Sequence, residues 1–366
     1  MPSREFDIVL FGATGFAGRQ AVAYFTEHAP HGLRWAIAGR DRARLVALDA
    51  KVPILIADSG NQDAVDTVVA KTRVLLTTAG PFKLYGDPFV DACVRLGVHY
   101  VDISGETARI RSLIDRYHLI AKAARVRIVN FCAISSTPAD LGVFLLNKQL
   151  DGRLLEAKGF FQLGGGSFSG GTIASISHAH DSGHAAREKD IFLLNPDCQR
   201  APEAIERDPR GVRYTRAVRR SGALTGKDIV YQEYATFPSY FGALGFSAII
   251  GLFGAAMCIR PVRNFLQKKL PPGTGPSEAA MDAGWFQLQI LGKSQTGQKA
   301  IVTLKGKGDA GNRITVKCLC ESAFPLAVNE AELPQVFGVL TPSVAFGDVL
   351  VERLRDAGIE ISAQDL

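Results

Sequence analysis

Cysteine is sparse in this 366-residue chain and shows no arrangement. Its six cysteines, Cys93, Cys132, Cys198, Cys258, Cys318 and Cys320, form no C-x-x-C pair and keep no regular spacing, which excludes a small disulfide-stapled module. Charge is also thin, with Asp, Glu, Lys and Arg at 21% against 47% apolar residues. So much apolar surface can be buried that a disordered tail protein is excluded. No basic n-region or signal-type apolar core follows Met1, so a reduced, cytoplasmic protein is expected. There is no internal repeat. No nucleic-acid motif accompanies the net charge of +6, and nucleic acid is not an expected partner. At roughly 150 residues per domain, the length points to two domains. One figure calls for a cause: a mean hydropathy of +0.09 is high for a freely soluble enzyme.

Short apolar runs alternate with helix-period stretches over the first 130 or so residues. Ile8–Phe11, Arg34–Ala38, Val52–Ala57, Val74–Thr78, Tyr100–Ile103 and Ile128–Phe131 read as strands, with helices such as Arg19–His28 and Arg42–Ala50 between them. Strands this apolar are covered on both faces, as in a parallel sheet with right-handed crossovers. The expected fold is α/β: a Rossmann-type doubly wound domain over 1–140, then a second α/β domain with a mixed sheet over 141–335. Leu154–Leu163, Trp285–Leu291, Ala300–Leu304 and Ile314–Leu319 read as strands of that second sheet. A final helix within 343–366 is expected to pack back on the first domain.

Directly after the first strand stands Gly12-Ala13-Thr14-Gly15-Phe16-Ala17-Gly18, opening a helix. Glycines three apart permit a tight turn and close approach of backbone to a pyrophosphate, while the helix N-terminus presents free N–H groups to it. The second strand ends in Ala38-Gly39-Arg40-Asp41, where an NAD protein would carry an acid for the ribose hydroxyl. Arg40 offers a fork for a 2′-phosphate and Gly39 leaves room for it, so NADP(H) is expected over NAD(H). The bland alternative is a surface arginine, with Asp41 as an N-cap. Asp58, Thr78, Gly80 and Pro81 lie at further strand ends, where ligands of open α/β sheets bind. Asp58 is expected near the adenine and Thr78, Gly80 and Pro81 near the nicotinamide.

Those motifs, with Ala79-Gly80-Pro81-Phe82-Lys83-Leu84-Tyr85-Gly86, His99-Tyr100-Val101-Asp102-Ile103-Ser104-Gly105-Glu106 and Ser169-Gly170-Gly171-Thr172, resemble the saccharopine dehydrogenase-like oxidoreductases. Within that group the chain is most similar to the trans-acting enoyl reductases, through to Gly338-Val339-Leu340-Thr341-Pro342. The resemblance implies a nicotinamide-dependent reductase of a carbon–carbon double bond in a carrier-bound acyl chain. The chain departs from that pattern at Cys132-Ala133-Ile134-Ser135-Ser136, which lacks an acidic residue.

Reducing an enoyl thioester needs a donor to the thioester oxygen and a proton for the α-carbon. Tyr85 is the candidate donor, and its alternative is an aromatic packed beside Phe82 and Phe89. Asp102 and Glu106 flank a strand end where an acid or orienting carboxylate could stand, though Glu106 also suits a helix cap. Ser136-Thr137-Pro138 reads as an N-cap, and Cys132 reads as a packing residue. His178, His180 and His184 have part of a zinc spacing but no specified third ligand, so a polar helix face near the substrate is expected rather than a metal site.

Arg210, Arg213, Arg216, Arg219 and Arg220 read as a solvated face or as a docking patch for an acyl carrier protein. From Tyr234 to Ile259 no residue is charged. That length would span a bilayer, but glycines weaken the helix and a span would split the second domain. Two readings follow: a buried or homodimer-interface helical hairpin, or membrane-surface contact through 234–269. Beside the enoyl reductase stand two alternatives, a saccharopine-type imine reductase and a lipid- or membrane-associated cofactor-binding protein with little catalysis.

Overall fold

The structure, a computed structural model, describes residues 4–165, 169–181, 190–196, 215–227, 229–237 and 239–366. Its first half runs β1 (Phe6–Phe11), α1 (Phe16–His28), β2 (Trp35–Gly39), α2 (Arg42–Val46), β3 (Ile54–Ile56), α3 (Gln62–Val69) and β4 (Thr72–Thr77). It continues with α4 (Phe82–Tyr85), α5 (Asp87–Leu96), β5 (His99–Asp102), α6 (Thr107–Ala123), β6 (Arg127–Val129) and α7 (Thr137–Gln149). Successive side chains of β1 face opposite sides, as strand geometry requires. Ile8 and Leu10 join one buried cluster, and Val9 and Phe11 join the other. A sheet buried on both faces is what the apolar runs call for.

The second half runs β7 (Leu154–Gly164), α8 (Gly170–Asp181), α9 (Thr215–Leu224), β8 (Val230–Ala235), α10 (Tyr240–Cys258) and α11 (Arg260–Lys269). Then come α12 (Glu278–Asp282), β9 (Trp285–Ser294), β10 (Lys299–Lys307), α13 (Thr315–Val328), β11 (Gly338–Leu340), α14 (Pro342–Phe346), α15 (Asp348–Asp356) and β12 (Glu360–Asp365). Seven parallel strands form the first sheet in the order β11-β6-β5-β4-β1-β2-β3. This is the doubly wound order, extended by β11, with its topological switch between β1 and β4. The second sheet, β12-β10-β9-β7-β8, is mixed: β7 and β8 are parallel and the other pairs antiparallel.

Three expectations need correction. Ile314–Leu319 is not a strand. Thr315–Val328 is a helix, α13, which packs against α1, β4 and β5. Burial on nearly every side erases its amphipathic period, and the β-branched start imitates a strand. β11 extends the first sheet beside β6 and α13 packs against that sheet, although the sequence placed 315–335 in the second domain. Nor does the tail stay helical: α14 and α15 are separated at Gly347 (φ +53°), and β12 pairs with β10 at the edge of the second sheet.

The arginine run is the third. Arg210 and Arg213 lie outside the described residues, but Arg216, Arg219 and Arg220 are only 4%, 7% and 1% exposed. They form neither a solvated face nor a docking patch. Arg220 Nη2 donates to Val339 O at 2.6 Å, tying α9 to β11. Arg219 Nη2 donates to Tyr231 O at 2.6 Å, tying it to β8. Burial pushes these guanidinium pKa values down, to about 10 for Arg219 and about 9 for Arg220. The uncharged stretch divides into the end of β8 and α10, which is long and apolar enough to cross a membrane by length and composition. Almost all of α10 is exposed, so it is not a helix buried within this chain.

Candidate active site

The loop between β1 and α1 sits at the switch point of the parallel sheet. Gly12 has φ +86°, and a Cβ there would lie 2.9 Å from both the Ala79 amide nitrogen and Thr78 Oγ1. A Cβ on Gly18 would lie 2.1 Å from Gly12 O. Only glycine allows the loop to close this tightly against the end of β4 and the first turn of α1. Ala13 is buried beneath the loop, while Gly12, Thr14, Gly15 and Phe16 line a cleft of about 930 Å³. No side chain caps α1 at Gly15 and its first turn holds no acid, so the free N–H groups and positive dipole end are left for an anion. The loop therefore fits a pyrophosphate.

Gly39, Arg40 and Arg44 line the same end of the cleft. Asp41 caps α2 by accepting from the Arg44 amide at 3.1 Å, the role open to it in the sequence, and Arg40 stays exposed at the rim. Asp58 does not line the cleft. Its Oδ1 accepts from the Gly60 amide at 2.8 Å in a tight turn, and Ser59 faces the cleft instead. Thr78, Gly80 and Pro81 line the middle of the cleft, and Thr78 Oγ1 donates to Gly12 O at 3.1 Å.

The three candidate catalytic residues separate. Tyr85, on the one-turn helix α4, is partly exposed and lines the cleft. Glu106 lines it too, but its carboxylate is engaged: Oε1 accepts from the Phe82 amide at 2.9 Å and Oε2 from the Lys83 amide at 2.8 Å. It caps α4, a helix it does not adjoin in sequence, and makes no side-chain cap on α6. Ser175 of α8 donates to Glu106 Oε1 at 3.4 Å from the other wall. Asp102 does not reach the cleft. Fully buried, it accepts from Tyr100 Oη at 2.8 Å, the Ser104 amide at 3.0 Å, Asn130 Nδ2 at 3.0 Å and Arg109 Nη1 at 3.3 Å. Burial, and then the Asp102 charge, push the Tyr100 hydroxyl pKa far up. Asp102 is accordingly a structural anchor for Arg109 rather than an acid facing substrate.

Other sequence readings resolve by packing. Cys132 is buried and its thiol pKa is pushed well up by desolvation. Ser136 stands at the N-cap position of α7 but makes no side-chain cap bond. His178 lines the cleft, His184 lies outside the described residues, and among the described residues no cluster could hold a metal.

Sequence reasoning did not select Ser175, Thr107 or Thr315, all of which line the cleft. Nor did it place Arg216, which donates from Nη1 to Thr107 Oγ1 at 3.1 Å and from Nε to Asp190 O at 3.0 Å. The signal for Arg216 was its place in a run of arginines without acids, a pattern that does not tell an inward face from an outward one.

A doubly wound sheet, a glycine loop at its switch point and a cleft running from that loop to α8 define a dinucleotide-binding α/β protein. The family described as "Saccharopine dehydrogenase NADP binding domain" matches residues 8–129. A Mycobacterium tuberculosis protein provisionally named a trans-acting enoyl reductase is 34% identical over 99% of this chain and 98% of its own length. The trans-acting enoyl reductase of Mycobacterium ulcerans is 31% identical over 99% of both chains. The chain belongs to the saccharopine dehydrogenase-like oxidoreductases, among relatives named trans-acting enoyl reductase. In fold it is similar to saccharopine dehydrogenase (L-Glu forming) of Saccharomyces cerevisiae, at TM-score 0.57 and 12% identity over 99% of this chain and 100% of that one.

Proposed function

We propose that this protein is an NADPH-dependent reductase of the carbon–carbon double bond of an enoyl thioester or similar lipid-like substrate. The observation that carries the reading is one continuous cleft, with the glycine loop and Arg40 at one end and Tyr85, Ser175 and His178 at the other. Gly12, Thr14, Gly15 and Phe16 would hold the pyrophosphate, and Arg40, with Arg44 beside it, a 2′-phosphate. When bound, the reduced nicotinamide supplies a hydride for the substrate's β-carbon. Negative charge then grows on the thioester oxygen, and a donor already in place stabilises it without reorganisation. Tyr85 takes that role, held by the Glu106 cap on α4, and the α-carbon takes its proton from water to complete the reduction. Asp102 acts through Arg109 on the architecture alone.

The direct test incubates the protein with NADPH and enoyl thioesters of short and long chain, following loss of the near-ultraviolet absorbance of the reduced nicotinamide. Tight NADPH binding with no turnover of any chain length would sink the reading and favour a binding protein with little catalysis. A second reading, imine reduction of the saccharopine type, has one observation in its favour: Arg216 lines the cleft and could hold a substrate carboxylate. It predicts NADPH consumption with an oxo acid and an amino acid together, lost in Arg216→Ala.

A further inference from the structure

From Tyr234 to Ser277 the chain holds no Asp or Glu, and its only charges are Arg260, Arg263, Lys268 and Lys269. α10, in the middle of this stretch, is exposed at every residue but Ala243, Phe253, Ala256 and Met257, with α8 and α11 as its neighbours. Successive helical residues turn by about 100°, so Tyr240, Phe241, Leu244, Phe246, Ile249 and Leu252 spread over about two-thirds of the circumference. Of these, Phe241, Ile249 and Leu252 are 81%, 65% and 72% exposed. A helix that is apolar all round is stable where apolar surroundings enclose it. A second copy of the chain would cover one side and leave the rest in water, whereas lipid encloses all of it. Cβ atoms built on Gly245, Gly251 and Gly254 meet nothing within 4 Å, so no neighbouring backbone explains these glycines. Glycines weaken a helix in water, but in lipid a free backbone N–H or C=O is costly enough to keep the helix formed.

Topology fixes the manner of contact. β8 precedes α10 and β9 follows α11, and both belong to the second sheet. The two ends of the α10–α11 hairpin therefore lie on one side of any bilayer. α11 presents exposed Phe265, Arg260, Lys268 and Lys269, a set suited to the boundary between acyl chains and anionic head groups.

We infer that the α10–α11 hairpin is a monotopic anchor that immerses α10 in an anionic lipid surface, and that it holds the cleft at that surface to take a lipid-borne acyl chain. The substrate half of this inference rests on the reductase reading. α8 makes the connection. Its Asp181 pairs with Arg263 of α11, and its Gly170 amide donates to Thr274 O at 2.9 Å just beyond α11. A Cβ on Gly170 would fall 2.1 Å from Pro271 O, so the two segments touch at backbone level. The same helix turns Ser175 and His178 into the cleft. The wall opposite the glycine loop is thus latched at one end to the hairpin and at the other to the segment that leaves it.

The test sediments the full chain, without cofactor, with vesicles of phosphatidylcholine containing phosphatidylglycerol, and in parallel with phosphatidylcholine alone. The protein should pellet with the anionic vesicles and bind the neutral ones more weakly. Lys268→Gln and Lys269→Gln should each weaken binding about fivefold. Phe241→Asp combined with Ile249→Asp should lower it about tenfold or more, with an unchanged circular dichroism spectrum, because both side chains are exposed. Wild-type protein left in both supernatants overturns the anchor, as does the aspartate pair binding like wild type. So does a lipid-free dimer, seen by sedimentation velocity, that the aspartate pair converts to monomers. For the substrate half, the aspartate pair should lose reduction of a long-chain enoyl thioester held in vesicles and keep that of a short, soluble one. Equal loss of both, or loss of neither, overturns it. No turnover of either by wild type removes the reductase reading and the substrate half together, while vesicle binding still decides the anchor.

Discussion

Arg109 and Asp102 form an ion pair at 3.3 Å in which neither side chain has any exposed surface. Arg109 also donates from Nε to Asp87 at 2.9 Å, and its guanidinium lies 5.8 Å from the centroid of the Phe82 ring. The pair braces the end of β5 against α4, the one-turn helix that carries Tyr85. Removing one partner of a buried pair leaves the other charge uncompensated. Asp102→Asn should therefore cost about 3 kcal/mol of stability, measured by chemical denaturation. The pH dependence of kcat should keep its shape, whereas loss of one limb would show Asp102 to be the catalytic acid.

Glu106 is a positioning residue, and a graded pair of substitutions exposes this. Glu106→Ala strips the Phe82 and Lys83 amides of their acceptors and should cost about 1–2 kcal/mol. It should also lower kcat, because α4 carries Tyr85. Glu106→Gln restores one acceptor and should recover part of both losses, read from melting curves and steady-state kinetics.

Tyr85→Phe removes a hydroxyl from the cleft and little else. If that hydroxyl stabilises charge on the thioester oxygen, kcat should fall about a hundredfold. NADPH affinity, followed by fluorescence, should not change.

If Arg40 holds a 2′-phosphate, it sets cofactor choice by charge. Arg40→Ala should raise the Kd for NADPH about tenfold to a hundredfold and leave the Kd for NADH unchanged. An equal loss for both cofactors would place Arg40 away from the 2′-phosphate.

Two buried acids predict a pH dependence of stability. Burial raises the Glu233 carboxyl to about 7 from 4.5, against the opposing Tyr231 hydrogen bond and Arg219 charge. Burial likewise raises Asp140 to about 6 from 3.8, against hydrogen bonds from Ser221 and Ser343. In each case the folded state binds the proton more tightly. The resulting stabilisation is fully present below the unfolded value and is lost as pH rises through the folded one. Melting temperature should show this fall between about pH 4 and 7, and Glu233→Gln, which cannot ionise, should flatten the upper part of it.

The parallel sheet was legible because each strand is a short apolar run bounded by turn residues, and the glycine loop because its spacing is a backbone requirement. Tyr85 was reachable by the same logic, since it follows the end of β4. Asp102 and Glu106 were found as carboxylates at a strand end, but their duties were not. Whether a carboxylate meets substrate or closes a distant helix depends on which N–H groups the fold brings to it. The inward turn of Arg216, Arg219 and Arg220 was equally hidden. A buried arginine looks like a solvated one until its carbonyl partners, such as Val339 and Tyr231, are in place.

The sequence alone determined the doubly wound sheet, the phosphate loop and the uncharged stretch after Tyr234, because strand periodicity, glycine geometry and hydropathy are local properties. Only the tertiary structure decided that β11 completes the first sheet with α13 packed against it, that β12 closes the second, and that most of α10 is exposed. Those outcomes depend on which surfaces meet, and a covered helix and a largely exposed one can carry the same apolar pattern.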